Sequence, residues 1–137
     1  MVQHKINKNL KIALIAGGGT GGHLFPALAI GDELEKIGYD VEYIGSKYGL
    51  ESKQFPKLKN NYHLLNIRGF QRTLSFKNIL NNLLFPYRFF KAYINSKSII
   101  NTLKPNIVIG TGGYASGIPV LVSSKMNIKT LIHEQNS

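Results

Sequence analysis

The sequence predicts an α/β fold, a doubly wound, parallel, Rossmann-like sheet with helices on both faces. Short apolar runs of strand length alternate along the chain with longer segments of helical spacing, as in repeated strand–helix units. Two of these units carry a glycine-rich turn between the strand and the helix. The length of 137 residues, 43% of them hydrophobic, suits a single domain with its own core.

The first unit begins with the apolar run Lys11–Ala16, which is bounded by glycine and is typical of a strand buried on both faces. The turn Gly17–Gly22 follows it. A helix is predicted from Leu24 to Ile37, because apolar residues recur there at helical spacing. Pro26 is tolerated in the first turn of this helix, and Gly38 is expected to stop it.

The rest of the chain predicts four more strands and three more helices. We expect these strands at Val41–Gly45, Tyr62–Ile67, Ile107–Gly110 and Thr130–His133. We expect the helices from the N-cap Ser75 to Phe85, at Tyr87–Leu103, and from Ile118 to Met126. Pro86 separates the first two of these helices, and Pro105 ends the second.

Both glycine turns are predicted at the carboxyl ends of parallel strands, the edge at which such sheets bind ligands. Residues His133–Ser137 leave the last strand at the same edge, so the chain stops in the middle of a predicted site. We therefore expect residues 1–10 to be a disordered leader and residues 11–137 to be the N-terminal domain of a longer protein.

The charge of the chain is strongly one-sided. Its formal net charge is +10, and Ser52–His133 holds twelve Lys or Arg residues and no carboxylate. Such a field attracts polyanions such as nucleic acid, anionic lipid or phosphorylated substrates, although a basic surface also serves solubility. A nucleic-acid binder is disfavoured, because the aromatic residues cluster with aliphatic helices and not with a reading motif.

Several other classes of protein are excluded. The chain has no cysteine, which rules out disulfides and thiolate metal sites. No clustered Asp-x-Asp indicates a metal site. The family resemblance described below implies neither a metal nor a cofactor. No apolar stretch approaches the roughly 18 residues that a membrane-spanning helix needs.

The first glycine turn is ambiguous by itself. It contains a G-x-G-x-x-G pattern, which is a weak signal. A Walker A loop needs Lys-Ser/Thr after its last glycine, but His23 and Leu24 stand there. A dinucleotide fold favours an acid at the end of the second strand, where this chain has Ser46 and Lys47. These two residues leave an NADP enzyme open, since they could hold a 2′-phosphate.

Three motifs together resemble the MurG family of glycosyltransferases. They are Gly18–His23 followed by Phe25-Pro26-Ala27, Gly112–Gly117, and His133–Asn136. Their order and spacing match the family over nearly the whole chain after residue 10. Two departures are the additional Gly17 before the first motif and Ile118, which stands between Gly117 and Pro119.

The resemblance implies the N-terminal, acceptor-binding half of a two-domain GT-B enzyme, without its donor-binding half. The implied reaction transfers N-acetylglucosamine from UDP-N-acetylglucosamine, with inversion, to the 4-hydroxyl of the muramoyl sugar of lipid I, giving lipid II in peptidoglycan synthesis. It also implies a peripheral protein at the cytoplasmic face of the plasma membrane. This domain alone is expected to be inactive. The alternative class is a non-catalytic, membrane-recruiting subunit of a two-part glycosyltransferase.

The resemblance also implies roles for single residues. His23 is the implied base, kept neutral by a nearby helix N-terminus, and Glu134 is its rival. The residues expected to approach the donor are Thr20, Gly21, Gly22 and Asn136. The residues expected around the acceptor diphosphate are Gly18, Gly19, Gly112, Gly113, Tyr114 and Ser116.

The segment from Arg68 to Lys91 combines cations with more large apolar residues than one core-facing helix face needs. It therefore predicts an interfacial patch that docks on anionic lipid. The residues assigned to this patch are Phe70, Arg72, Lys77, Leu84, Phe85 and Arg88.

Overall fold

The computed structural model describes residues 10–69, 73 and 75–134. Within these residues, five strands form one parallel sheet in the order β3-β2-β1-β4-β5. The strands are β1 (Lys11–Ala16), β2 (Tyr39–Ser46), β3 (Tyr62–Leu65), β4 (Ile107–Gly110) and β5 (Lys129–Ile132). Because β1 lies between β2 and β4, the strand order reverses between β1 and β4. This confirms the doubly wound, Rossmann-like sheet.

Helices cover both faces of the sheet. They are α1 (Gly21–Lys36), α2 (Glu51–Gln54), α3 (Phe76–Leu83), α4 (Phe85–Leu103) and α5 (Tyr114–Lys125), with a single 3-10 turn at Phe55–Lys57. The short α2 and the 3-10 turn were not expected from the sequence. Pro86 lies in the first turn of α4, where its missing N–H costs nothing, so it starts the second helix of the α3–α4 corner.

The core has two layers, one on each side of the sheet. Alternate residues of β1 enter different layers, because neighbouring side chains of a strand point to opposite faces. Leu14 packs with Ile100 of α4 and Val122 of α5, and Ile15 packs with Leu24 of α1. All of these side chains are fully buried, which confirms the prediction of a strand covered on both faces.

Two helices begin earlier than their apolar spacing indicated. α1 begins at Gly21 and not at Leu24, and α5 begins at Tyr114 and not at Ile118. The first turn of α1 begins with two glycines, and that of α5 combines Tyr114 with small residues, so neither first turn shows an apolar period. Pro26 is consequently the sixth residue of α1 and lies beyond its first turn, contrary to the prediction.

Candidate active site

The two glycine turns lie side by side at the point where the strand order reverses. Ala16, the last residue of β1, is paired with Gly110, the last residue of β4. The N–H of Thr111 donates to the carbonyl of Ala16, over 2.9 Å. Both turns therefore leave the sheet together at the edge where doubly wound folds bind ligands.

The turns pack against each other too closely for side chains. A Cβ built on Gly17 would overlap the side chain of Thr111, and a Cβ on Gly113 would overlap the carbonyl oxygen of Gly18. Gly113 also has φ +75° and ψ 166°, a region that is nearly exclusive to glycine. Glycine is therefore required for the contact between the turns as well as for their conformation.

His23 lies where the two turns meet. It is the third residue of α1, and its Nδ1 is 3.1 Å from the carbonyl oxygen of Thr111. The Thr111 hydroxyl donates back to the carbonyl of His23, over 2.7 Å. Because a carbonyl only accepts, this contact assigns the proton of the neutral ring to Nδ1 and leaves a lone pair on Nε2. In this tautomer, Nε2 is the ring nitrogen that is able to accept a hydrogen bond.

Glu51 is a buried residue of this site that sequence reasoning missed. Its carboxyl group is fully buried, and its Oε2 accepts a hydrogen bond of 2.7 Å from the N–H of Gly19. Its Oε1 accepts one of 2.8 Å from the N–H of Ser46. The dinucleotide pattern places an acid at the end of β2, whereas Glu51 lies five residues beyond it. The Gly19 N–H, assigned to diphosphate from the sequence, is already engaged within the chain.

The Ser46 hydroxyl is engaged as well. It is fully buried, donates to the carbonyl of Ile67 over 2.6 Å and accepts from the N–H of Tyr48 over 3.0 Å. Ser46 is therefore not free to hold a 2′-phosphate together with Lys47, as the sequence had left open.

The second turn leads directly into α5. Gly112 and Gly113 both have positive φ, and Tyr114 is the first residue of the helix. The Tyr114 ring lies beside Gly19 and Gly69, since a Cβ on either glycine would be 3.0 Å from it. Ser116 is largely buried, and its hydroxyl donates to the carbonyl of Gly113 over 3.0 Å. In the first turn of α5, the N–H of Ser116 donates to the carbonyl of Gly113 over 3.2 Å, and the other N–H groups of a first helical turn have no partner within the helix.

The residues assigned to the donor lie at the N-terminus of α1. Thr20 is the N-cap and is exposed, and its side chain makes no capping hydrogen bond. Gly22 is exposed and Gly21 half-exposed beside it. Glu134 is exposed and follows His133, whose N–H donates to the carbonyl of Gly110 over 2.8 Å. Asn136 lies outside the described residues.

The electrostatic environment of the site comes from backbone dipoles. The N-termini of α1 and α5 both face the edge that carries the turns, and each contributes a partial positive charge. In the part of the chain that the structure describes, no three His, Cys, Asp or Glu side chains lie close enough together to hold a metal ion.

Residues 13–137 match the family model described as the glycosyltransferase family 28 N-terminal domain. The chain belongs to this family. Membership of family 28 agrees with the resemblance to MurG and removes the support for an NADP enzyme.

Named relatives and a solved structure make the match to family 28 more specific. The chain is 43% identical over 126 residues to the UDP-N-acetylglucosamine–N-acetylmuramyl-(pentapeptide) pyrophosphoryl-undecaprenol N-acetylglucosamine transferase of Prosthecochloris aestuarii, covering 90% of this chain and 34% of that protein. It is 46% identical to the enzyme of the same name from Bacillus pumilus, again over 90% of this chain and 34% of the relative. The crystal structure of MurG from Acinetobacter baumannii superposes with a TM-score of 0.74 at 29% identity, covering 93% of this chain and 36% of that one.

The chain therefore spans about a third of the length of the relatives it matches. Its fold is that of the N-terminal half of a GT-B glycosyltransferase, as the sequence predicted.

A second exposed surface lies on α3 and α4. No residue of α3 is buried, although its sequence is half apolar. The exposed large apolar residues on the two helices are Phe76, Ile79, Leu80, Leu83, Leu84, Tyr87, Phe90 and Ile94. Lys77 is exposed beside them, Arg88 and Phe85 are half-exposed, and the Lys91 ammonium lies 6.0 Å from the centre of the Tyr87 ring. Phe70 and Arg72 lie outside the described residues.

None of the described helices combines the length and the apolar character needed to cross a membrane. The exposed apolar side chains of α3 and α4, together with the basic side chains beside them, are called the α3–α4 patch below.

Proposed function

We propose that this chain is the acceptor-side domain of an inverting glycosyltransferase, which transfers N-acetylglucosamine from UDP-N-acetylglucosamine to the 4-hydroxyl of the muramoyl sugar of lipid I. The observation that carries the proposal is the orientation of His23, whose Nε2 is left as a proton acceptor between the two glycine turns. The names of the relatives supply the substrates, since they specify this donor and a pyrophosphoryl-undecaprenol acceptor.

Inversion by a single displacement requires a base that removes the proton of the attacking hydroxyl. His23 suits this role because Thr111 holds it at two points. The Thr111 carbonyl contacts Nδ1 of the His23 ring, and the Thr111 hydroxyl donates to the His23 carbonyl. Both bonds fix the direction of Nε2 before substrate arrives. Glu134 stays the rival base, since it is exposed at the same edge of the sheet.

The departing UDP develops negative charge, which helix N-termini stabilise without a metal. The N-terminus of α1, with Thr20 exposed at its cap, suits contact with the donor across the cleft. The N-terminus of α5, approached through Gly112 and Gly113, suits the acceptor diphosphate, because no side chain caps it and a helix N-terminus offers N–H groups and a positive dipole end to an anion.

The α3–α4 patch suits a membrane that contains the lipid-linked acceptor. Its apolar side chains are not needed for the core, and a row of basic side chains accompanies them. Apolar burial in the interface and attraction to anionic lipid would add together. We therefore propose that the protein is peripheral and binds the cytoplasmic face of the plasma membrane.

Transfer activity tests the assignment of the base. It is to be measured with a soluble lipid I analogue, in a polypeptide in which this domain precedes a donor-binding domain of the family. We expect His23→Ala to lower kcat by about 10²–10⁴-fold, the usual contribution of a general base. The control His63→Ala removes a histidine of β3 that pairs with Glu42, and it is expected to retain activity.

Each result has a definite meaning. Near-normal activity of His23→Ala together with a large loss in Glu134→Ala would transfer the role of base to Glu134. If neither variant differs from the wild type and no transfer is found, the non-catalytic recruiting subunit becomes the better account.

Vesicle binding tests the patch separately. Leu83 is 72% exposed on α3, and Ile37, on the far side of the sheet at the end of α1, is 73% exposed. Replacing Leu83 by Ser removes one interfacial apolar side chain and is expected to weaken binding to anionic vesicles by about tenfold. The matched control Ile37→Ser is expected to bind as the wild type does. Equal binding of wild type to neutral and anionic vesicles at low salt would contradict the role of the basic residues.

A further inference from the structure

Glu51 occupies the first glycine turn in the way that a bound anion would. It is the first residue of α2, and its side chain reaches back under the turn that follows β1. Its two carboxyl oxygens accept from two different backbone N–H groups, at 2.7 Å from Gly19 and at 2.8 Å from Ser46. In both hydrogen bonds a carboxyl oxygen accepts from a backbone N–H.

Three glycines surround this carboxyl group. A Cβ on Gly18 or on Gly49 would overlap its terminal atoms, and a Cβ on Gly45 would lie 2.6 Å from its Cγ. Glycines from the first turn, from β2 and from the loop before α2 thus make room for one side chain. Part of the glycine richness of the first turn is explained by Glu51 and not by a substrate.

The partners of Glu51 are backbone groups and not cations. Among the described residues, no Lys or Arg forms an ion pair with it. Burying a carboxyl group without a cation is costly, and an apolar residue of similar size would serve stability alone as well or better. The two hydrogen bonds from backbone N–H groups therefore indicate that the Glu51 carboxyl group is needed to hold the conformation of the turn.

We propose that Glu51 is a positioning residue that acts as an intramolecular anion: it holds the first glycine turn in its active conformation beside His23 and keeps that turn from binding diphosphate. The inference rests on the proposed glycosyltransferase function for its catalytic part. It assigns the acceptor diphosphate to Gly112, Gly113 and the N-terminus of α5, because the Gly19 N–H is already used.

Glu51 is able to influence His23 without touching it, because the residue that Glu51 binds lies next to the start of α1. Gly19 lies next to Thr20, whose carbonyl accepts from the N–H of His23 over 3.3 Å and from that of Leu24 over 3.0 Å. Displacement of the turn would shift the start of α1, and His23 with it. A shift of about 1 Å in a catalytic group costs about 10²-fold in rate.

Amide chemical shifts of the 137-residue chain test the binding part, with inorganic pyrophosphate as the probe. In the wild type, we expect pyrophosphate to shift the amides of Gly112 and Gly113 and to leave Gly19 unchanged. In Glu51→Ala, formate is expected to shift Gly19, because it refills the vacated carboxylate position. The matched control Glu33→Ala removes an exposed carboxylate of α1 and should give the wild-type response. A Gly19 shift in the wild type as large as that of Gly113 would overturn the proposal.

Kinetics in the two-domain polypeptide test the positioning part. Glu51→Gln keeps the size of the side chain, so the variant is expected to fold. Its amide group has only one acceptor oxygen, so one of the two hydrogen bonds from the backbone N–H groups is expected to be lost. We expect kcat to fall by at least tenfold, with the KM for the acceptor changing less than twofold and with partial rescue by Glu51→Asp. Circular dichroism establishes that each variant is folded at the assay temperature.

Failure of this inference differs from failure of the proposed function. A folded Glu51→Gln variant with wild-type kcat would remove the positioning role while leaving the transferase assignment intact. Absence of transfer in the wild type, with the amide shifts as expected, would remove the transferase assignment and leave Glu51 as the anion of the turn.

Discussion

The contact between the two glycine turns is the most exacting feature of the site, and Gly113→Ala perturbs it directly. The backbone of Gly113, at φ +75° and ψ 166°, lies in a region that costs any other residue about 1–3 kcal/mol. The new Cβ would also overlap the carbonyl oxygen of Gly18 and come within 3.1 Å of the His23 ring. Such overpacking adds about 1–3 kcal/mol, so the free energy of unfolding should fall by roughly 4 kcal/mol.

Gly38→Ala is the matched control for this prediction. Gly38 also has a positive φ, +92°, but a Cβ there would meet nothing within 4 Å. It should therefore cost only the backbone strain, about 1–2 kcal/mol. Urea denaturation of both variants gives the difference between them. Equal losses would refute the reasoning, because the contact between the turns would then contribute nothing.

Two other predictions concern the stability of parts of the fold. The hydrogen bond from His63 holds the pKa of Glu42 below its ordinary value of 4.5. The ionised Glu42 carboxylate therefore stabilises the fold fully above pH 4.5, and this stabilisation is lost as the pH falls through the lowered pKa. Glu42→Gln should therefore lower the free energy of unfolding by about 2 kcal/mol at pH 7, and denaturant titrations should show this difference shrinking below pH 4.5; a difference independent of pH would contradict it. Gly117 lies inside α5 with open space around its Cα, so Gly117→Ala should raise the melting temperature and stabilise the domain by about 0.5–1 kcal/mol. An unchanged or lower melting temperature would contradict a helix that begins at Tyr114.

The order of the elements was predictable because it depends on local patterns. After Lys11, the run to Ala16 is apolar throughout, which is the pattern of a strand buried on both faces. The two glycine turns stand out for the same local reason. The predicted first residues of α1 and α5 lie three and four positions after the observed ones, because the first turns of both helices lack apolar residues at helical spacing.

The partners inside the site were not predictable in the same way. The bond between His23 and Thr111 joins residues 88 positions apart and depends on the register that pairs Ala16 with Gly110. Glu51 lies 32 positions after Gly19, and its contact with the turn depends on the short irregular loop between β2 and α2. The resemblance to the MurG family implied His23 as the base, but only the packing of the two turns indicates which of its nitrogens is the acceptor.

The most direct measurement of the central claim is the stereochemistry and rate of sugar transfer by a polypeptide that joins this domain to a donor-binding domain. With UDP-N-acetylglucosamine and a soluble lipid I analogue, the wild type is expected to give a disaccharide with a β linkage at the 4-hydroxyl, as read by NMR of the product. His23→Ala is expected to give the same product at least 10²-fold more slowly. A product with retained configuration, or no transfer from a folded wild-type polypeptide, would contradict the account.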